Sequence, residues 1–598
     1  MSRLRRNLLA GLATTAGAAL ANPFSPPVLA ASVPDGRKPE SPSVLDFMSP
    51  AMRQDALSGA PMLDHTRAIQ AALDSGAAEL AVPGGCTFNL TGPLTVGRKT
   101  RICGAGELRF SAGIATMAAI TVKADGCEFD GIVLTNPNRL QAPAGGRNTG
   151  ILFRADLGTV TRSTIRGFQN GITVESEGEY HDFIIANNRI LDCIGAGGGP
   201  GDSTSGTGED RGDGITIWGC AATITGNLVT AMAGQDCRIG IHVEGLAHYH
   251  NGASPRQDNL CTIVGNIVLG PFRRSIVTEN LNNASIAGNT CEGATWWGIA
   301  VARSLACSIT ANTVKLDRAS TDKSGASWSP IHAGIAVYGG AVQCVISGNT
   351  VDLTQGHAAA AILLQGLQTD TVVVGKQACI ADGTRRVRLA APNPTIQVGQ
   401  LLTGGGVPAQ TYVANIDGTT LLASKPIAAG SPMLTVTWHD RGQGIAVTDN
   451  SILCNAAIET IGIWAQYQDH PTISGNNIRY MGKVGISCHD VADPVINGNT
   501  VLGLNGTKSG IDLAWSRTAA VVVNNVVAGF DAPGAYGINV VNRTGGVVSG
   551  NFVRDCATNI HLYGCTGMSV TGNSSVSCAS HYTAGNGSGM MLANNASL

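Results

Sequence analysis

Charged side chains are scarce in this 598-residue chain, at 13% of the total. That excludes a molecule built mainly of solvated helices, which need a denser supply of Lys and Glu. Basic residues are not in excess either. The net charge is −2, and removing the leader arginines Arg3, Arg5 and Arg6 makes it −5. Such a chain lacks the basic footprint of a nucleic-acid binder. Beyond the leader no apolar run is long enough to span a bilayer, so no transmembrane segment is expected. No phosphate-binding loop, dinucleotide fingerprint, zinc spacing or Gly-x-Ser-x-Gly elbow is present. What the chain has is glycine, 78 residues of it, and 43% hydrophobic residues, enough for a core and too many for wholesale disorder.

The first 31 residues have the form of an export signal. Arg5-Arg6-Asn7-Leu8-Leu9 opens an Ala/Gly-rich apolar stretch, and Val28-Leu29-Ala30 offers a cleavage site. The pattern is of the twin-arginine type, which places the mature protein in the periplasm or outside the cell. Sixteen cysteines are scattered without metal-like pairs, many inside apolar strand patterns such as Val342-Gln343-Cys344-Val345. Export after folding in a reducing compartment favours buried thiols over a disulfide framework.

A repeat decides the fold. Gly-Ile recurs at Gly214-Ile215, Gly240-Ile241, Gly298-Ile299, Gly334-Ile335, Gly462-Ile463 and Gly485-Ile486, among others. A second pattern, Gly-Asn between apolar pairs, falls at Gly226-Asn227, Gly265-Asn266, Gly348-Asn349 and Gly475-Asn476. From Ile to the next Asn is 13 residues at Ile276–Asn289, Ile299–Asn312 and Ile463–Asn476, and from Asn to the next Ile is 10 at Asn266–Ile276. A short unit of alternating strands without helical period cannot close a core alone, so it must stack as a solenoid of parallel strands. An Asn recurring at one turn fits left-handed geometry and amides that bond from coil to coil.

The unit resembles a coil of the right-handed parallel β-helix of the pectate lyase superfamily. Upstream, Asp64–Leu73 predicts an amphipathic capping helix before Leu80-Ala81-Val82-Pro83-Gly84-Gly85, similar to the entry segment of such proteins. The resemblance covers about residues 44–585. It implies an all-β fold and leaves the reaction open, because hydrolases, lyases, epimerases and non-catalytic proteins share the fold. The polygalacturonase and mannuronan epimerase signatures are absent, as is a pectate-lyase calcium cluster.

Excess length marks where the coils are interrupted. Ile362–Asn450 spans 88 residues in place of 13, which locates an inserted small β module at residues 369–443. It divides the β-helix into residues 44–368 and 444–598. Shorter insertions fall at residues 193–211, 246–258 and 317–330, all beside the Gly-Ile strands. Those strands are expected to floor a groove walled by loops.

Alternation assigns the faces. The repeat Ile points inward, so the first and third residues after it point out. The third-position column contains Glu175, Trp218, Glu244, Glu279, Tyr338, Gln365, Gln466 and His489. His242 stands in the first position, and Asp213, Arg274 and Trp297 lie two before the Ile. Glu244 and Glu279 are neighbours on adjacent coils. Carboxylates so close must share a proton, bind a cation or face a guanidinium. The expected catalytic group is Glu244, Glu279, His242, Asp213 and Arg274. Glu175, Trp218, Tyr249, Trp296, Trp297, Arg303, Tyr338 and Gln365 are expected to bind substrate, since aromatic rings beside polar groups suit sugars.

The sequence thus predicts an exported enzyme that cleaves or modifies a poly- or oligosaccharide, as a hydrolase or a lyase. A hydrolase would use the two glutamates; in a lyase Arg274 would neutralise the substrate and His242 or Tyr338 would take the proton. The alternative is a non-catalytic β-helix that binds glycans or serves a surface structure. No cofactor is expected, calcium being the one ion that a lyase reading would admit.

Overall fold

A computed structural model gives the architecture. It describes residues 41–597 apart from 112–117, 140–147, 176–179, 196–211, 220, 235–236, 246–259, 318–331, 357, 367–370, 394, 397–399, 409–410, 439–440, 458 and 517. Residues 1–31, expected to be an export signal, and Tyr249 lie outside the described residues. Among the described residues the chain winds through three parallel sheets of 17 strands each. One coil shows the order: Cys261–Val264, a tight turn, Ile267–Leu269, then the Gly-Ile-type strand Phe272–Glu279, and on to Ser285–Ala287 in the first sheet. The inward positions are predominantly apolar and fully buried, as at Ile241, Ile263, Val268 and Ile276.

Two features of the repeat explain why one register is chosen. A Cβ placed on Gly298 would come 2.3 Å from Val314 Cγ1 and 2.6 Å from the Gly334 carbonyl oxygen of the next coil. Gly298 is therefore required by close approach rather than by its torsion angles. At the Asn turn the roles differ from expectation. The left-handed residue is the one before the asparagine, such as Gly265 (φ 65°) or Gly348 (φ 64°). The asparagines themselves stack as a ladder from Asn188 to Asn595. In each step the side-chain amide donates to the next Asn oxygen, at 2.9 Å for Asn312 to Asn349 and for Asn349 to Asn450.

The N-terminal end is closed by the helix Thr66–Asp74, which buries Ala68, Ile69, Ala72 and Leu73. No helix among the described residues is long and apolar enough to cross a membrane. Of the fifteen described cysteines all but Cys103 and Cys578 are buried, and those other than Cys237 are free thiols. Desolvation raises the thiol pKa at Cys193 and Cys291, which makes them packing residues and poor nucleophiles.

Six antiparallel strands between Thr371 and Trp438 form a small closed barrel with its own core of Val387, Leu402, Leu421, Leu434 and Val436. The β-helix strands on either side pair directly across it. Ala360–Gln365 lies against Ile461–Asp469, and Val345–Ser347 against Ala446–Thr448. The ladder passes the barrel unbroken. Replacing residues 371–438 by a short flexible linker should leave a soluble β-helix with a similar melting temperature, because loop closure costs only about 0.6 kcal/mol per doubling of length. Thermal denaturation followed by circular dichroism checks this; loss of the soluble protein would show that the barrel supports the coils.

Candidate active site

The third-position column is continuous in the structure. Successive rungs pair Trp218 with Glu244, Glu244 with Glu279, Glu279 with Ala302, Ala302 with Tyr338, Tyr338 with Gln365 and Gln365 with Gln466. A second column pairs Asp213 with Ile239, Ile239 with Arg274 and Arg274 with Trp297. Asp213, His242, Glu244, Arg274 and Glu279 are thereby brought together on one outward face.

That face is less open than a bare groove. His242, Asp213, Arg274 and Glu175 are buried, whereas the Glu244 and Glu279 side chains are 13% and 20% exposed. The two carboxylates are the accessible part, and the rest stands behind them. The cause is an apolar cluster on the outer side of the same sheet, made of Ile239, Val277, Trp296, Trp297, Ala300, Ala336, Tyr338 and Leu363. Trp296 and Trp297 were expected to present their rings to substrate. They stack on each other at 4.2 Å instead, and Trp296 lies 5.4 Å and 5.5 Å from the Arg273 and Arg274 guanidinium carbons. Tyr338 is buried beside Trp297, at 5.9 Å between centroids. Trp296 braces the two arginines by cation–π contact. Arg303 sits half-buried in the turn after Ala302, and Gln365 is half-buried further down the column. Glu175 approaches Arg154 at 3.9 Å, with Trp218 on the rung that separates it from Glu244.

Behind the carboxylates the electrostatics are fixed by a buried ion pair. Arg238 Nε donates to Asp213 Oδ1 at 2.8 Å, and its Nη2 donates to Asp213 Oδ2. Thr216 Oγ1 and the Ile239 amide also donate to Asp213, at 2.7 Å and 3.2 Å. A desolvated carboxylate so fully paired is a positioning element. Arg238 Nη2 further donates to His242 Nδ1 at 3.2 Å. A guanidinium can only donate, so Nδ1 is the acceptor and the proton of the neutral ring sits on Nε2. Burial, then the charges of Arg238 and Arg274, hold the imidazole pKa well below its usual value, which keeps it neutral. His242 Nε2 is buried without a hydrogen-bond partner, 3.7 Å from Glu244 Oε2. His242 is therefore a donor aimed at the carboxylates and has no free lone pair with which to act as a base there.

Arg274 Nη1 donates to Glu279 Oε1 at 3.2 Å, and Asn280 Nδ2 lies 3.5 Å from Glu244 Oε1. Burial pushes the Arg274 guanidinium down to about 10 against the pull of Glu279, which still leaves it charged at neutral pH. One ligand atom from each of His242, Glu244 and Glu279 lies within 4.8 Å of the other two, the one such cation-sized group among the described residues. A cation there would meet the Nε2 proton of His242 and the Arg274 charge. The donor set suits a hydrogen-bonded ligand better than a metal.

Comparison with known proteins bears on the fold. Residues 435–553 match the family described as "Right handed beta helix region". The chain folds as a right-handed parallel β-helix. No curated protein matches the sequence. Similar solved structures include the A-module of the mannuronan C-5 epimerase AlgE4 of Azotobacter vinelandii, at 12% identity over 80% of this chain and 99% of that one, with a TM-score of 0.47. The DFA-IIIase of Arthrobacter chlorophenolicus A6 is similar at 16% identity, 54% and 80% coverage and a TM-score of 0.38. The surface adhesin PfbA of Streptococcus pneumoniae is similar at 13% identity, 79% and 94% coverage and a TM-score of 0.39. These likenesses concern the course of the chain and assign no reaction. The β-helix expected from the pectate-lyase-like repeat is the fold found.

Asn280 is the site residue that sequence reasoning does not reach. Arg238 is expected among the polar residues around the glutamates, but its contacts with Asp213 and His242 depend on the reach of its side chain, which periodicity does not give.

Proposed function

We propose that this protein is an exported glycan-cleaving enzyme and that Glu244 and Glu279 carry the reaction as a retaining glycoside hydrolase. The observation that carries the reading is the pair itself: two partly exposed carboxylates on adjacent rungs, with oxygens within 4.8 Å, backed by buried donors. Retaining enzymes hold their carboxyl groups about 5 Å apart, whereas inverting ones need room for a water between them. Arg274 orients Glu279 as the nucleophile. Glu244, beside the Nε2–H of His242, is left as the acid and then the base, and Trp218 offers a half-buried ring edge next to it. In the first step the Glu279 oxygen bonds to the anomeric carbon while Glu244 protonates the departing glycosidic oxygen. Water, deprotonated by Glu244, then releases the sugar from Glu279.

The lyase mechanism fits less well, because His242 is locked as a donor and Tyr338 is buried. Incubation with a panel of neutral and uronate polysaccharides tests the choice. New reducing ends without ultraviolet-absorbing unsaturated products are expected. Unsaturated products would replace the hydrolase by a lyase, and silence on every glycan would favour a non-catalytic β-helix. Activity is also expected to survive prolonged dialysis against a chelator.

A further inference from the structure

Further down the groove stands a tryptophan in a position where the fold prefers other residues. The residue that follows a third-position residue takes a left-handed conformation at most coils. It is Asn280 (φ 56°), Gly339 (φ 64°), Asn542 (φ 57°), Gly564 (φ 62°) and Asn586 (φ 53°), and less often another residue type, as at Arg303 (φ 47°) and Asp490 (φ 52°). Asn and Gly adopt that region at little cost, whereas a bulky aromatic does not. Trp515 adopts it at φ 64° and is 72% exposed. Trp218 and Trp464 are half-buried, and Trp296 and Trp297 fully so. A strained backbone and a large apolar surface left in water both count against stability.

The ring is nevertheless held in place. It stacks on His489 at 5.2 Å between centroids, with 30° between planes. His489 Nε2 is 3.0 Å from Asp512 Oδ2, and Asn539 Nδ2 donates to Asp512 Oδ1 at 2.7 Å. His489 and Asp512 are half-buried on the outward face, so polar groups border the ring. In the same turn column Tyr467 is a second aromatic at positive φ, 53°, two rungs earlier.

We infer that Trp515, held by His489, is a distal sugar-binding platform of the same groove, taking the apolar face of a pyranose ring in a polysaccharide whose cleaved bond lies at Glu244 and Glu279. The inference rests on the glycan reading of that pair. Sugar rings present an apolar C–H face that stacks on an aromatic ring and hydroxyl edges that bond to groups such as Asp512 and Asn539. From Glu279 the rungs run through Ala302, Tyr338, Gln365, Gln466 and His489 to Ala514, the residue before Trp515. Six rungs at the strand spacing make about 29 Å. Only a chain several sugars long reaches both places, so the platform selects polymers over short oligosaccharides and holds them during cleavage.

Native electrophoresis through gels containing polygalacturonate, alginate, xylan or dextran tests this, with all proteins in the Glu279→Gln background so that the gel is not cut. At least one polymer should retard the parent, and Trp515→Ala should weaken that retardation about tenfold. Trp515→Phe should restore most of it. In the active background Trp515→Ala should raise KM on the polymer and leave cleavage of an oligosaccharide too short to span the distance unchanged. Equal retardation of Trp515→Ala and parent, no retardation of the parent by any of the four, or equal losses on short and long substrates would each overturn the platform. Failure of the Glu pair would show separately, as activity surviving in Glu279→Gln.

Discussion

Glu244→Gln and Glu279→Gln are each expected to lower turnover at least ~100-fold on a confirmed glycan while leaving the fold intact. Each change is isosteric and sits at the accessible edge of the cluster; the amide oxygen can still accept from Arg274 in Glu279→Gln, and the Arg238–Asp213 pair behind is untouched. The two variants should differ in kind. If Glu244 protonates the leaving group, a substrate with an activated leaving group needs no such help and should restore the first step in Glu244→Gln. The same substrate should do nothing for Glu279→Gln, which lacks the attacking oxygen. Glu175→Gln should stay within a few-fold of the parent, because Glu175 is buried and separated from the pair by the Trp218 rung. Steady-state kinetics with a circular dichroism control check all three. Near-parental turnover in both Glu244→Gln and Glu279→Gln would place the chemistry elsewhere.

The second large effect concerns stability. Asn312 stands in the middle of the ladder. Its amide nitrogen donates to Ile286 O and Asn349 Oδ1, both at 2.9 Å, and its Oδ1 accepts from Asn289 N and Nδ2, also at 2.9 Å. Asn312→Ala leaves several buried donors and acceptors unsatisfied, each costing about 1–3 kcal/mol, so a loss of about 3–5 kcal/mol is expected. Asn312→Asp is expected to be as harmful, since it sets a carboxylate oxygen against Ile286 O and Asn349 Oδ1. Thr313→Ala, one residue on and exposed, should change stability by less than about 0.5 kcal/mol. Denaturant unfolding of the three variants side by side measures the difference.

The sequence made the coil legible because two constraints recur along it, with Ser275, Ala361 or Asn559 in place of the glycine at some coils. Glycine before the repeat Ile is imposed by the neighbouring coil's carbonyl, and the ladder asparagine by its stacked amides. Both leave a fixed interval that can be counted. The outward columns followed, since a pleated strand allows only two faces, and the structure pairs Glu244 with Glu279 as that alternation required. Burial was another matter. Alternation tells on which side a residue lies and not what covers it. The apolar first-position residues Val277, Ala300, Ala336 and Leu363 carried a signal that this outer face is packed. That packing buries Trp296, Trp297 and Tyr338, which alternation alone would turn toward a sugar. The lock on His242 was out of reach because Arg238 contributes through its long side chain from an irregular position. Trp515 escaped because it sits one residue beyond the column, where the turn and not the strand sets its direction.

The most direct measurement of the central claim is the anomeric configuration of the first-formed product, followed by proton NMR before mutarotation. A carboxylate pair on adjacent rungs, with one member attacking the sugar, predicts retention of configuration. Inversion, or an unsaturated product in place of a new reducing sugar, would contradict it.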